Sequence, residues 1–281
     1  MRSACLLALT LPLLGCGPVL YASDDKASAM RAMTFNVSDD DGWAQATSPR
    51  RDDVLALIEA EAPDILGVQE ALWQQVVDLR VGLPEYDWVG HGRDDGLEAG
   101  ELGPIFYRRD RYDHVADGTF WLSDTPSVPG SSYADAQVRI ATWLELLDHA
   151  TGRPILILNS HWDDTNEEAR SFGASLIVQQ LSFLAPDPLP KVVLGDFNCG
   201  EESGAMATLR DGGRLDDAWR LAHPDDAAAT YHGYDTEPDG PRIDYLMVST
   251  GLFEVDAAEI VATEQAVTAS DHFPVVGDLR W

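Results

Sequence analysis

A short apolar run that stops at a glycine and then delivers an aspartate and an asparagine constrains this sequence most. It spans residues 191–198 and reads KVVLGDFN. Its length and its valines predict a buried strand. Because residues two apart share a face of a strand, Asp196 and Asn198 are expected to project together from its end. A carboxylate beside an amide suits the holding of a water and a phosphate or metal, and a turn-forming Asp/Asn cluster is an equal alternative from these residues alone.

The first residues of the chain are typical of an export signal. Arg2 precedes an apolar segment, residues 4–14, that is too short to span a bilayer. It ends in Leu-Leu-Gly-Cys at 13–16, which resembles the lipobox of bacterial lipoproteins. We therefore expect a signal peptide at 1–16, lipidation of Cys16, a tether at 17–29, one folded domain at 30–281 and a place in the cell envelope. Ordinary secretory cleavage, with a periplasmic or extracellular product, is the alternative.

Charge and cysteine content limit the possible classes of protein. The chain has 48 acidic and 19 basic residues, a net charge of -29. Such an excess repels polyanions, whereas nucleic-acid-binding proteins usually carry a basic surface. Besides Cys16, only Cys199 would remain after processing, which excludes a disulfide framework. We expect a monomer whose fold is stabilised by its apolar core.

The predicted elements alternate, with many strands and few helices between them. Strands are predicted at residues 30–37, 64–69, 105–108, 114–122, 138–147, 154–160, 191–196, 243–248, 254–261 and 273–278. Helices are predicted from a Ser48-Pro49 start to Pro63, over 71–81, after an Asn166 N-cap, and in the material that leads to about Ala222. This order favours an α/β fold in which two packed sheets are covered by helices.

Unusual polar residues fall at the ends of these predicted strands. Each alone has an ordinary interpretation as a cap or a surface residue, but ligands gather where strand ends converge, so the set together indicates a site. The members are Asn36, Glu70, His161, Asp196, Asn198, Asp244, Asp271 and His272.

The chemistry of this set favours metal-assisted hydrolysis. Glu70 and Asp271 are hard oxygen ligands, which suit Mg²⁺ or Mn²⁺ better than structural zinc. His161 and His272 are imidazoles suited to acid–base work. No Gly-x-Ser-x-Gly elbow is present, and Cys199 has no evident partner base. We therefore expect attack by an activated water, with a metal stabilising charge on a phosphoryl oxygen.

The ordered motifs of the chain resemble those of the endonuclease/exonuclease/phosphatase family, which includes deoxyribonuclease I, sphingomyelinases and inositol-polyphosphate phosphatases. The motifs are Asn36, Gln69-Glu70, Ser160-His161, Gly195-Asp196-Phe197-Asn198, Arg242-Ile243-Asp244-Tyr245 and Ser270-Asp271-His272-Phe273-Pro274, within residues 33–276. The resemblance implies a four-layer α/β sandwich and a catalytic domain at 30–281.

The resemblance also implies a role for each motif residue. Glu70 would be the principal Mg²⁺ ligand, helped by Asn36 and Asp271. Asp196 would orient or deprotonate the water, and Asn198 would hold the phosphate. His272 would be oriented by Asp244, and His161 would contact the scissile phosphate or act as an acid. Glu101, on its spacing before Arg108, would pair with His161.

The surroundings of the motifs resemble a secreted bacterial branch of the family, with one departure. That branch commonly has His-x-Asp-His, whereas this chain reads His161-Trp162-Asp163-Asp164. The change puts a substrate contact in doubt rather than the hydrolytic centre. Candidate phosphate contacts are Arg93, Arg139 and Arg170, with ordinary ion pairing as the alternative for each.

Three functions follow, in order of preference. The first is an Mg²⁺- or Mn²⁺-dependent phosphoesterase of the cell envelope that acts on a phosphodiester or phosphomonoester of a small or lipid-linked substrate. The second is an extracellular nuclease on DNA or RNA, which the acidic charge disfavours. The third is a lipoprotein that binds a ligand without catalysis. Substrate identity depends on loops such as residues 123–137 and 231–242.

Overall fold

A computed structural model describes residues 29–39, 42–44, 50–235 and 240–281. The predicted signal peptide, lipidation site and tether up to residue 28, and the Ser48-Pro49 helix start, lie outside the described residues. Within the described part of the chain, no helix has the length and apolar character needed to cross a membrane.

The described residues form twelve strands and six helices. In chain order they are β1 (Ala29–Asn36), α1 (Arg50–Glu61), β2 (Ile65–Gln69), α2 (Trp73–Gly82), β3 (Tyr86–Val89), β4 (Ile105–Arg108), β5 (Tyr112–Trp121), β6 (Ile140–Asp148), β7 (Arg153–His161), α3 (Glu167–Leu184), β8 (Lys191–Asp196), α4 (Gly204–Gly213), β9 (Leu215–Asp217), α5 (Ala218–Ala222), β10 (Asp244–Ser249), β11 (Glu254–Ile260), α6 (Glu264–Ala269) and β12 (Val275–Arg280).

The strands are arranged in two mixed sheets. One has the order β11-β12-β1-β2-β4-β3 and the other β5-β6-β7-β8-β10-β9. In the first sheet β1 is parallel to β2 and antiparallel to β12. In the second, β8 is parallel to β7 and antiparallel to β10. The central strands of both sheets therefore direct their polar ends to one edge of the molecule.

Three apolar cores account for the layers. Ile65, Ile157 and Leu194 belong to the core between the two sheets. The outer face of the first sheet packs with α1, α2 and α6 through a second core, and the outer face of the second sheet packs with α3 and α4 through a third. Apolar residues on both faces of each central strand explain why these strands read as continuous apolar runs. The four-layer α/β sandwich predicted from the sequence is confirmed.

The helix caps and apolar faces follow the sequence pattern where it is strong. The Asn166 side chain accepts a hydrogen bond from the backbone N–H of Ala169 at 2.9 Å, which is the N-cap predicted for α3. Leu176, Ile177 and Leu181 of that helix are buried. The pattern missed β3, β9 and α6, all of which have six residues or fewer.

Candidate active site

The site forms where the strands of the two sheets converge. β1 ends at Asn36, Glu70 directly follows β2, and His161 and Asp196 end the parallel strands β7 and β8. Asp196 lies opposite both His161 and Asp244 in the sheet register. Asp271 and His272 precede β12, which runs antiparallel to β1 and so begins at the same edge.

A cavity of about 510 Å³ opens over these strand ends. This volume lies in the range of sites for small ligands. Its lining comprises Asp39, Glu70, Arg93, Glu101, Gln137, Arg139, His161, Asp164, Asp196, Asn198, Tyr231, Ile243, Asp271 and His272. Asn36 and Asp244 were also predicted for the site but do not line the cavity. Both are buried, and each forms a hydrogen bond with a lining residue.

Asn36 joins the two sheets beneath the cavity. Its Nδ2 donates to Oε1 of Glu70 at 2.8 Å and to Oδ2 of Asp196 at 3.0 Å. Its Oδ1 accepts from the backbone N–H of Ser38 at 3.0 Å. Asn36 therefore presents its amide nitrogen to the carboxylates, and it would act as an oxygen ligand to a metal only after its amide turned over.

The carboxylates that accept hydrogen bonds from Asn36, those of Glu70 and Asp196, are destabilised in their charged form. Burial raises the pKa of Glu70, and the Asn36 hydrogen bond and the charge of His272 oppose this rise. Burial also raises the pKa of Asp196, and the nearby charge of Asp244 raises it further. Each group is thus a better proton acceptor, and gains more from a nearby cation, than an ordinary surface carboxylate.

His272 lies between two aspartates. Its Nδ1 is 2.9 Å from Oδ2 of Asp244, and its Nε2 is 3.7 Å from Oδ2 of Asp196. Burial lowers the pKa of His272, but the charges of Asp244, Asp196 and Asp271 together outweigh burial and raise it to about 10. Asp244 thus orients the ring as the sequence motifs imply.

A group of ligand atoms suited to a metal lies at the same place. Atoms of Glu70, Asp196 and His272 all lie within 4.8 Å of one another. Of the predicted ligands, Glu70 belongs to this group, Asn36 is bonded to two of its members, and Asp271 lines the same cavity. Crowded carboxylates with raised pKa values favour a cation between them, so the residues present fit a divalent metal.

His161 has hydrogen-bond partners at both ring nitrogens. Nη1 of Arg139 lies 2.7 Å from Nδ1, and Nδ2 of Asn198 lies 2.9 Å from Nε2. Glu101 is 3.8 Å from Nδ1, beyond hydrogen-bonding distance, so Arg139 takes the position implied for Glu101. Burial holds the pKa of His161 well below 6.5, and the charges of Arg139, His272 and Arg93 lower it further.

Glu101 instead pairs with the arginines of the cavity wall. It accepts from Nη1 of Arg93 at 2.7 Å and lies 3.7 Å from Nη1 of Arg139. Burial raises the pKa of Glu101 to about 6, although both arginines oppose the rise. The third predicted arginine, Arg170, does not line the cavity and donates to the backbone carbonyl of Asp163 at 2.8 Å.

Left-handed backbone conformations accompany the site. Ser38, Glu70 and Asn198 have φ values of 57°, 61° and 51°. Such angles are uncommon outside glycine and cost free energy that the surrounding structure must offset. At Asn198 the turn is held by its own N–H, which donates to Oδ1 of Asp196 at 2.9 Å.

Several groups at the site were not named individually from the sequence, although Gln137 and Tyr231 belong to the loops 123–137 and 231–242 expected to determine the substrate. Tyr231 lines the cavity and contacts His272 edge-on, with ring centroids 5.0 Å apart. Gln137, Asp164 and Ile243 also line it, and all three lie outside the helices and strands. His232 is buried and stacks on Phe273.

The chain belongs to the endonuclease/exonuclease/phosphatase family. The sequence profile described as "Endonuclease/Exonuclease/phosphatase family" matches residues 33–272, which include the site residues from Asn36 to His272. The family resemblance stated from the motifs is therefore confirmed.

Solved structures support the same assignment. The endonuclease/exonuclease/phosphatase from Bacteroides vulgatus is 37% identical, with a TM-score of 0.82 over 90% of this chain and 98% of that one. A mannosyl-6-phosphatase from Bacteroides thetaiotaomicron is 30% identical, with a TM-score of 0.78 over 89% of this chain and 99% of that one.

A curated relative matches over a shorter region. It is an uncharacterized protein of Acanthamoeba polyphaga mimivirus, 30% identical over 161 residues. The match covers 54% of this chain and 59% of the viral protein.

Together with the family assignment, the site defines the chain as a phosphoester hydrolase, and its substrate is a phosphate ester.

Proposed function

We propose that the chain is an Mg²⁺- or Mn²⁺-dependent phosphoesterase that hydrolyses the monoester or diester of a small or lipid-linked substrate. The charge and size of the cavity carry this proposal. Among the described residues, six carboxylate side chains and only two arginines line this cavity of about 510 Å³. A nucleic acid would bring several phosphates to this surface and would need several basic contacts, whereas a single phosphate needs few.

The metal would be held by Glu70 with Asn36 and Asp271, beside the oxygens of Asp196. When bound, such a cation stabilises negative charge on the phosphoryl oxygen. The like charges of Glu70 and Asp196, whose carboxylates share the amide of Asn36, support a cation at this point.

Asp196 would orient and deprotonate the attacking water. It is buried, its pKa is raised by burial and by Asp244, and its Oδ2 lies 3.6 Å from Nε2 of His161. Asn198 and His161 would hold the phosphate oxygens, and His272, aligned by Asp244, would stabilise the developing charge or protonate the leaving oxygen.

A small substrate is also supported by similarity. The solved structure described as a mannosyl-6-phosphatase is 30% identical and almost fully covered. Tyr231 at the cavity wall is 47% exposed and offers an aromatic face to an organic group beyond the phosphate. The lipobox-like residues 13–16 support the further proposal that the enzyme is secreted and anchored at the cell envelope through Cys16.

A substrate panel under one Mg²⁺ condition tests the proposal. It compares DNA, RNA, phospholipids, sphingomyelin and sugar phosphates, with Asp196→Asn as the inactive control. We expect hydrolysis of a small or lipid-linked ester and little activity on nucleic acid at physiological salt. Rapid degradation of DNA or RNA with small esters ignored would establish the nuclease alternative. Binding without turnover of any ester would favour the catalytically silent lipoprotein.

A further inference from the structure

The contact between Arg139 and His161 fixes which ring nitrogen of the histidine carries the proton. Nη1 of Arg139 lies 2.7 Å from Nδ1 of His161. A guanidinium has N–H groups only and remains charged, so it donates and never accepts. Nδ1 must therefore offer its lone pair, and the ring proton lies on Nε2.

The opposite side of the ring shows why Arg139 decides the tautomer. Nδ2 of Asn198 is placed 2.9 Å from Nε2, so two donors face an imidazole that can accept at only one nitrogen. The carboxamide can exchange its oxygen and nitrogen by turning, because the two ends have nearly the same shape. Turning gives up the 3.0 Å hydrogen bond that Nδ2 of Asn198 donates to the backbone carbonyl of Trp162. The charged guanidinium can only donate, so the conflict is resolved at Asn198.

Arg139 is itself held in place by acidic neighbours. Its Nη2 donates to Oδ1 of Asp164 at 3.3 Å, and Nη1 lies 3.7 Å from Oε2 of Glu101. The arginine side chain is 6% exposed, so its direction is set by packing as well as by charge. Asp164 therefore helps to hold the Arg139 side chain against His161.

We infer that Arg139 is a positioning residue that fixes His161 with its proton on Nε2 and makes His161 a hydrogen-bond donor to the phosphoryl group. Nε2 faces the carboxylates at the strand ends, 3.6 Å from Asp196 and 3.9 Å from Glu70. A role for His161 as general acid would need a second proton on Nδ1, where Arg139 already donates. The role of this hydrogen bond in phosphoester hydrolysis rests on the proposed function, whereas the position of the ring proton does not.

Nitrogen NMR of the whole protein labelled with ¹⁵N-histidine tests the inference without substrate. A protonated and an unprotonated ring nitrogen have well-separated ¹⁵N shifts, and the chain has seven histidines. His161→Gln identifies the signal by its loss. We expect an unprotonated, hydrogen-bonded Nδ1 and a protonated Nε2. A proton on Nδ1 of His161 in the wild-type protein overturns the inference, whether or not the protein hydrolyses any ester.

Substitution of Arg139 provides the second measurement. In Arg139→Met we expect a mixture of tautomers or a shift to Nδ1–H, whereas Arg139→Lys, which also only donates, keeps Nε2–H. Arg109→Met removes a charge from an exposed arginine that pairs with Asp87 outside the cavity, and it should leave the His161 signal unchanged. An Arg139→Met protein with the wild-type tautomer contradicts the inference.

Turnover of a small phosphate ester separates positioning from a purely structural role. For Arg139→Met we expect kcat to fall by about 10–100-fold, the range seen for outer-shell partners that orient metal-ligating histidines, with partial recovery in Arg139→Lys. A fall of the same size in both variants, with the His161 tautomer unchanged, would contradict a positioning role. If Arg139→Met does not fold, the wild-type tautomer alone decides.

Discussion

Nδ1 of His272 lies 2.9 Å from Oδ2 of Asp244, and both side chains are buried at the strand ends. The second oxygen of Asp244, Oδ1, has no hydrogen-bond partner among the described residues. Asp244 is thus committed to His272, and the ring presents its Nε2 to Asn36 and Asp196 at 3.5 and 3.7 Å. The pair determines both the direction and the charge of the imidazole.

Loss of the imidazole should reduce catalysis strongly. We expect His272→Ala to lower kcat for a small phosphate ester by about 10²–10⁴-fold, the usual range for a general acid or base. Asp244→Asn should lower it as well, because the amide no longer holds His272 charged. His149→Ala, at an exposed histidine that pairs with Asp113, is the matched control. Near-wild-type turnover of His272→Ala would remove that residue from the site.

The raised pKa of His272 predicts how stability depends on pH. Its pKa is about 10 in the fold against 6.5 for an ordinary histidine, because the charges of three aspartates outweigh burial. The charged ring therefore stabilises the fold fully below about pH 6.5, and this contribution is lost as the pH rises towards 10. Each unit of pKa shift corresponds to about 1.4 kcal/mol.

Denaturant unfolding of the wild type and His272→Gln at several pH values measures this effect. The difference in free energy of unfolding should be largest below pH 6.5 and should shrink steadily at higher pH. A difference that is constant, or that grows with pH, would show that Asp244 and Asp196 do not hold the ring charged.

The sequence predicts the site centre well because its residues sit at the ends of long, strongly apolar strands. Asn36, His161 and Asp196 each end a central strand, and central strands are the elements that an apolar run identifies most clearly. Asp196 and Asn198 form the turn of the alternative interpretation, and their role in holding a water, a phosphate or a metal stays a prediction. Their turn is closed by the 2.9 Å bond from Asn198 N–H to Asp196, and the two side chains also line the cavity.

The parts that the sequence did not predict have short-range patterns too weak to detect. β3 has four residues, with Asp87 and Trp88 pairing only to the neighbouring β4. β9 has three residues and pairs only with β10. The wall of the cavity comes from loops in which Gln137, Asp164 and Tyr231 are placed by tertiary contacts, so no spacing identifies them.

Metal removal should abolish activity and lower stability together. We expect a chelator to stop hydrolysis of a chromogenic phosphodiester and added Mg²⁺ or Mn²⁺ to restore it. Because a ligand that binds only the folded state raises its stability, the cation should also raise the Tm. Glu70→Gln should lose both responses, whereas Glu59→Gln, an exposed acid on α1, should keep them. Activity that survives the chelator would contradict the metal assignment.

Gly195 is required by the backbone that delivers Asp196 to the site. Its φ is +148°, and a Cβ added there would lie 1.9 Å from the carbonyl oxygen of Ser160 on the neighbouring strand β7. An alanine must therefore either adopt a strained conformation or push β8 away from β7. We expect Gly195→Ala to lower the free energy of unfolding by about 2 kcal/mol or more and to reduce kcat, because Asp196 moves with the strand.

Gly130→Ala separates the two causes of that loss. Gly130 has nearly the same φ, +154°, but a Cβ there would meet no atom within 4 Å. It therefore carries the backbone strain without the contact between strands. We expect Gly130→Ala to cost less stability than Gly195→Ala in denaturant unfolding and to leave kcat unchanged. Equal losses in the two variants would mean that conformation alone, and not the close approach of β7 and β8, makes glycine necessary before Asp196.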